Sequence, residues 1–240
     1  MSIAENAAAV CERIDAAARA AGREPAEITL VAASKMNSAD RVAQAVAAGI
    51  RVCGENRVQE LLEKRAQGAY RGARLHFIGQ LQKNKVRQLV GVCDLIQSVD
   101  SGVLLELIDA RARALGLRQD VLIEINIGDE PSKSGLSADG LPAFLETAAR
   151  YSAVAVRGLM AIPPISYASG ETRAHFARMY QLFIDNSVKK YDNVSMDFLS
   201  MGMSGDFEDA IAEGSNLVRV GSAIFGARAY PRKADVNPPG

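Results

Sequence analysis

The sequence predicts an α/β fold: one closed (β/α)8 barrel forming a single domain over residues 1–240. Three observations carry this. Short apolar runs and amphipathic helical stretches alternate about eight times along the chain. No linker is long enough to split it, and no fixed-period repeat marks a solenoid. Eight such units in 240 residues favour closure over an open sheet, since one barrel takes about 250 residues.

Residues 2–21 carry Ile3, Ala7, Val10, Ile14 and Ala17 at helical spacing, and Gly22 ends that helix. Residues 28–33 are apolar or β-branched without alternation, the pattern of a strand buried on both faces. Ser38 is placed to cap a helix bearing Val42, Ala45 and Val46, which stops at Gly49. Residues 50–53 form a second strand, with Val58, Leu61 and Leu62 on the helix behind it. Residues 75–79 form a third, with a helix over 83–90. Residues 95–99 form a fourth, with Asp100 or Ser101 capping the helix that runs to Leu115.

Residues 121–127 make a strong fifth strand, followed by a loop over 128–137 and a helix with Leu141, Phe144 and Leu145. Residues 154–160 are the sixth, closed by Ile162-Pro163-Pro164. Phe176, Met179, Tyr180 and Phe183 mark the next helix. Residues 196–200 are the seventh strand, and Ser204 begins a helix with Phe207, Ala210 and Ile211. Leu217–Val220 is the eighth, closed by a short turn to Phe225. Residues 231–240 read as a flexible tail.

Composition narrows the function. Lys+Arg and Asp+Glu are both 28, which argues against a general nucleic-acid or anionic-membrane binder. Three cysteines, far apart and without a CxxC, suit a reducing cytoplasm rather than a disulfide framework. The two histidines, His76 and His175, stand alone and argue against a transition-metal site. No apolar run approaches the ~18 residues of a membrane span, and no basic start with an apolar core suggests a leader.

Lys35 follows Ser34 at the C-terminal end of the first strand, where parallel α/β folds place their chemistry. Desolvation there lowers an ammonium pKa, and a neutral amine is what a Schiff base with an aldehyde needs. The bland alternative is a lysine that snorkels to solvent. Phosphates often bind after strands seven and eight of a barrel, and those loops here hold Ser204 with two glycines, then Gly221-Ser222. Ser204 reads as N-cap and anion ligand at once; Asp206 counts against a tightly held anion, and an ordinary capped helix is the alternative. Arg219, between Val218 and Val220, points inward by alternation. There it meets either an inward carboxylate, Glu124 being a candidate, or a cofactor's ring nitrogen. Glu55, Asn56, Arg57, Asn84 and Lys85 read mostly as caps and solvated charges near the same rim.

The ordered motifs Ala33-Ser34-Lys35, Gly54-Glu55-Asn56-Arg57-Val58-Gln59-Glu60, His76-Phe77-Ile78-Gly79-Gln80-Leu81-Gln82 with Asn84-Lys85, Arg157-Gly158-Leu159-Met160 with Pro163-Pro164, and Ser200-Met201-Gly202-Met203-Ser204 through Gly221-Ser222-Ala223-Ile224-Phe225-Gly226 resemble the pyridoxal phosphate homeostasis proteins of the YggS/PROSC type. The resemblance covers residues 28–226. It implies a TIM-like barrel of the alanine racemase N-terminal type, with pyridoxal 5′-phosphate (PLP) held on Lys35 as an aldimine. It further implies Arg219 at the pyridine nitrogen, Ser204, Gly221 and Ser222 at the phosphate, and Asn56 and Met201 as lining residues. Lys133, which recurs in the family's run Ser132-Lys133-Ser134-Gly135, is placed to attack the aldimine or to hold a second PLP. Departures are modest: Leu75 where the family often has Trp, Gln97 where it often has His, Lys83 where it often has Ser, and Met36-Asn37-Ser38 for a common Thr-x-Pro.

The function this implies is a monomeric, cytoplasmic carrier or buffer of PLP without strong catalysis, serving apo PLP-dependent enzymes. The alternatives are a PLP-dependent amino-acid racemase and a phosphosugar-type barrel enzyme. A racemase needs a second base, for which Tyr70, Tyr151, Tyr167, Tyr180, Tyr191 and Tyr230 are the tyrosine candidates.

Overall fold

The unbroken apolar runs become strands because both of their faces are covered. In the computed structural model, described for residues 1–130, 133–164, 171–188 and 191–226, they form one closed barrel in chain order. The strands are β1 (Thr29–Ala33), β2 (Val52–Glu55), β3 (Arg74–Phe77), β4 (Leu95–Val99), β5 (Gln119–Ile125), β6 (Val154–Ala161), β7 (Val194–Ser200) and β8 (Leu217–Val220). Each runs parallel to the next, and β8 returns to β1 with Arg219 beside Val31. The helices are α1 (Ile3–Ala20), α2 (Ala39–Ala47), α3 (Val58–Ala66), α4 (Val86–Leu89), α5 (Gly102–Ala114), α6 (Leu141–Ala148), α7 (Glu171–Ser187), α8 (Phe207–Ala212) and α9 (Ser222–Phe225). This is the barrel that the alternation predicts. The expected tail over 231–240 lies outside the described residues.

Alternation divides the apolar side chains into two layers. Val31, Leu95, Leu122, Met160 and Leu217 fill the barrel interior, while Ala32, Ile96, Ile123, Val218 and Val220 belong to the layer shared with the helices. Helix α1 buries Ile3, Ala7, Val10, Ile14 and Ala18 against α8 and α9, closing the outside of the β7–β8–β1 sector. Each of its larger apolar residues contributes about 1.5–3 kcal/mol of burial. Ala18 takes the place expected of Ala17 because it lies one full turn beyond Ile14.

Several ends shift from the sequence expectation, as in β3, β5, β7 and α8, and two differences have a clear physical reason or change of character. The second strand starts two residues later than expected and takes in Glu55, because its pairing with β3 runs on to Phe77. Gly54 permits this: a Cβ there would sit 2.8 Å from Val31 Cγ1 and 2.9 Å from Ile78 Cδ1. The helix expected over 83–90 is instead a 3-10 turn (Lys83–Lys85) followed by the single turn of α4.

Candidate cofactor site

The loops at the C-terminal ends of the strands enclose a cavity of about 580 Å³, a normal size for a small-molecule site. Lys35, Asn56, Ser204, Arg219, Gly221 and Ser222 all line it, as the sequence reading expects. Met201 does not. It is fully buried in the outer core, and Met203 lines the cavity instead. The turn between them needs Gly202 at φ +92°, where a Cβ would lie 2.6 Å from Ala210 Cβ.

Lys35 is half-buried immediately after β1. Its neighbours on either side are clamped. Lys64 Nζ donates to the Ser34 carbonyl at 2.8 Å, and the Met36 N–H donates to Glu60 Oε1. Met36 holds φ +61°, a strained value for a residue with a side chain. Lys64 Nζ also meets Glu55 Oε1 at 2.7 Å and Glu60 Oε1 at 2.6 Å, while Ser34 Oγ and Tyr70 Oη donate to the same Glu55 oxygen at 2.6 and 3.0 Å. Glu55 is therefore not the cap or solvated charge that the sequence suggests. It is fully buried, and burial pushes its carboxyl up against the opposing pull of Lys64 and Ser34. The missed signal is Lys64 itself, which continues the buried stripe Val58, Leu61 on α3.

Arg219 points inward, as alternation requires, and is 4% exposed. It does not pair with Glu124. Its Nη1 donates to Ser200 Oγ and its Nη2 to the Ala161 carbonyl at 2.9 Å, and among the described residues no carboxylate forms an ion pair with it. Glu124 Oε1 accepts from Ser134 Oγ at 3.0 Å instead. Burial lowers the Arg219 pKa to about 10 against the longer-range pull of Glu124 and Asp206, which leaves it a cation at neutral pH.

Ser204 is not an N-cap, because α8 starts later, behind Asp206. Its Oγ accepts from the Gly221 N–H at 3.2 Å and so ties the loops after β7 and β8 together. Asp206 turns back on its own loop and accepts from the Met203 N–H at 2.6 Å. The Ile224 and Phe225 N–H groups of α9 both donate to the Gly221 carbonyl, which turns the chain sharply behind this wall. A Cβ on Gly221 would approach the Ala33 carbonyl to 3.1 Å, which keeps this wall close to β1. Asn56 Oδ1 is buried with no partner among the described residues. Sequence reasoning missed Arg41, which lines the cavity, donates to the Phe225 carbonyl and holds Asn37 Oδ1 at 3.1 Å. The one legible sign was its spacing of one turn from Asn37 at the start of α2.

Lys133 stands apart. It pairs with Glu130 at 2.8 Å and lines an adjoining cavity of about 320 Å³ with Gln80, Glu124 and Ser134. Ile162 forms a wall of both cavities.

The sequence matches the family model of the alanine racemase N-terminal domain over residues 6–229. A Pseudomonas aeruginosa protein named pyridoxal phosphate homeostasis protein is 42% identical over 230 residues, covering 95% of this chain and 97% of that one. The solved structure of PipY from Synechococcus elongatus with PLP bound is 34% identical, with a TM-score of 0.81 over 94% of this chain and 100% of that one. A Clostridium difficile alanine racemase shares the fold alone, at 15% identity and a TM-score of 0.69, covering 94% of this chain and 58% of its own. The chain thus belongs to the pyridoxal phosphate homeostasis protein family, built on the alanine racemase N-terminal barrel.

Proposed function

We propose that this protein binds PLP in the cavity at Lys35 and serves PLP homeostasis as a carrier or buffer, with little catalysis of its own. The observation that carries the reading is Arg219, a buried cation held only by neutral partners, on the same cavity as the Lys35 amine. A buried charge whose hydrogen-bond partners are all neutral is costly, and an electron-rich ligand atom offsets that cost. When bound, PLP supplies an aldehyde that condenses with amines and a ring that accepts electron density. Lys35 would hold the aldehyde end and Arg219 the ring nitrogen. Ser204, Gly221 and Ser222 would hold the phosphate, and Asn56 Oδ1, without a partner among the described residues, would serve a ring substituent.

The same residues argue against strong turnover. A guanidinium at the pyridine nitrogen disfavours its protonation, because two cations would meet, and an unprotonated ring is a weaker electron sink. Racemisation also needs a base on each face of the substrate. Among the described residues lining the cavity, Lys35 is the only side chain suited to that role. Tyr70 is buried against Glu55, while Tyr151, Tyr180 and Tyr191 are absent from the lining. Tyr167 and Tyr230 lie outside the described residues. The partners this role implies are apo PLP-dependent enzymes, and the working form we propose is a cytoplasmic monomer. No helix among the described residues is long and apolar enough to cross a membrane.

The test is the visible spectrum of the purified protein with PLP, followed by borohydride reduction and peptide mapping. A phosphopyridoxyl adduct should map to the Lys35 peptide and disappear in Lys35→Ala. Pyridoxal should bind much more weakly than PLP, since each lost charge-assisted hydrogen bond costs about 1.5–3 kcal/mol. An adduct mainly elsewhere, or equal affinity for the two vitamers, would reject the assignment.

A further inference from the structure

Below the cavity, four buried polar side chains cross the barrel interior in one line: Arg219 on β8, Ser200 on β7, Gln97 on β4 and His76 on β3. Their donor and acceptor roles follow from chemistry. A guanidinium can only donate, so Ser200 Oγ accepts from Arg219 Nη1. Ser200 then directs its own proton to Gln97 Oε1 at 2.7 Å. That orients the amide, whose Nε2 faces His76 Nδ1 at 3.0 Å and donates to it. His76 must therefore be the neutral tautomer carrying its proton on Nε2. Every bond in the line runs from the cavity inward, and reversing one of them alone would leave two donors or two acceptors facing each other. On its other side Arg219 is fixed by the Ala161 carbonyl.

We propose that Ser200, Gln97 and His76 are positioning residues for the cofactor cavity: through one directed hydrogen-bond line they fix the Arg219 guanidinium by neutral groups alone and leave its charge available to the bound ring. The proposal rests on the PLP reading for its ligand. Neutral partners matter here. A carboxylate in place of Ser200 would hold the arginine as well, but it would offset the charge that faces the cavity. Ser200 and Ala161 sit at the ends of neighbouring strands β7 and β6, so the two anchors come from the barrel wall rather than from a loop.

The experiment compares PLP affinity and the visible circular dichroism of bound PLP in the wild type, Ser200→Ala, Gln97→Met and Gln97→Glu, each with Arg219 and in an Arg219→Met background. With Arg219 present, Ser200→Ala and Gln97→Met should weaken PLP on the order of fivefold, the value of one hydrogen bond, and change the dichroic band. Gln97→Glu should shift the band further by supplying a counter-charge. In the Arg219→Met background all three should have no further effect. Changes of equal size in both backgrounds would overturn the proposal. So would lowered thermal midpoints with affinity and band unchanged, because a merely structural role predicts that outcome. The line itself is tested without cofactor by the nitrogen-15 spectrum of His76, one of two histidines in the chain. The Nε2–H tautomer is expected, with a shift toward a tautomer mixture in Gln97→Met; an Nδ1–H tautomer overturns the line. A wild type that shows no PLP band rejects the parent reading and, with it, the role of the line toward PLP, while the nitrogen-15 result still decides whether the line exists.

Discussion

Lys64 and Arg219 are both buried cations close to the Lys35 loop and the cavity, and they are treated in opposite ways. Lys64 meets two carboxylates, Glu55 and Glu60, and a backbone carbonyl, all within 2.8 Å. Arg219 meets a hydroxyl and a carbonyl, and among the described residues no acid pairs with it. A neutralised charge serves the fold, here by clamping the peptides on either side of Lys35. A charge whose direct partners are neutral, at the wall of a cavity, is left available to a ligand. Burial alone, which both residues share, does not separate the two roles; the ionic state of the partners does.

The sharpest way to break this contrast is to delete each cation in turn. Lys64→Met leaves the Glu55 carboxylate buried without its counter-charge, and breaking such a pair costs about 3–5 kcal/mol. Arg219→Met removes a charge whose two hydrogen bonds are both to neutral groups, and should cost about 1–2 kcal/mol. Urea unfolding of the cofactor-free variants measures both. PLP affinity should order them the other way, with the larger loss in Arg219→Met. Equal losses of stability would mean that the two cations are structural in the same sense. The double variant Glu55→Gln/Lys64→Met should recover most of the Lys64→Met loss, since the stranded charge is then gone.

The next effect is a pH dependence at the far end of the Arg219 line. Burial lowers the His76 pKa to about 4, with Arg74 lowering it further and Asp94 opposing. Between pH ~6.5 and ~4 the unfolded chain binds a proton that the folded chain refuses. Stability is therefore fully present above pH ~6.5 and falls as the pH drops toward ~4, by up to about 3 kcal/mol. Replacing His76 by Gln should flatten that slope in unfolding experiments run across the window. A slope unchanged in His76→Gln would place the acid sensitivity elsewhere and weaken the case that the line ends on a neutral imidazole.

The parts of the molecule that were legible in the sequence are those set by local pattern. Uninterrupted apolar runs became strands, and period-2 alternation turned Arg219 inward between Val218 and Val220. Lys35 and the loops after β7 and β8 came together because a closed barrel brings all of its strand ends to one rim. What was not legible depended on pairings across the sheet. Glu55 and Lys64 look like solvated charges until β2 extends to Glu55 and α3 turns its Lys64 stripe inward. Gln97 and His76 lie on adjacent strands, but His76 stands opposite Leu95, so their contact is a diagonal one that only the strand register reveals. Met201 and Met203 exchange roles at a glycine whose positive φ the pattern does not reveal.

A third cation, Lys133, sharpens the comparison from the exposed side and carries the smallest expected effect on stability. It is half-buried and salt-bridged to Glu130, itself accessible, and pairs of that kind contribute about 0–1 kcal/mol. Lys133→Ala should therefore leave unfolding nearly unchanged. Its proposed importance is kinetic. A carrier must release its aldehyde, and release is fastest when another amine attacks the bound form. Lys133 lines the cavity that shares the Ile162 wall with the main site, which makes it the amine to test in release. The measurement is transfer of PLP to an apoenzyme, followed as recovery of that enzyme's activity. Lys133→Ala should slow transfer while equilibrium binding at Lys35 stays nearly intact. Unchanged transfer kinetics would reduce Lys133 to a solvated loop residue, whereas a large loss of binding would move it into the primary site beside Arg219.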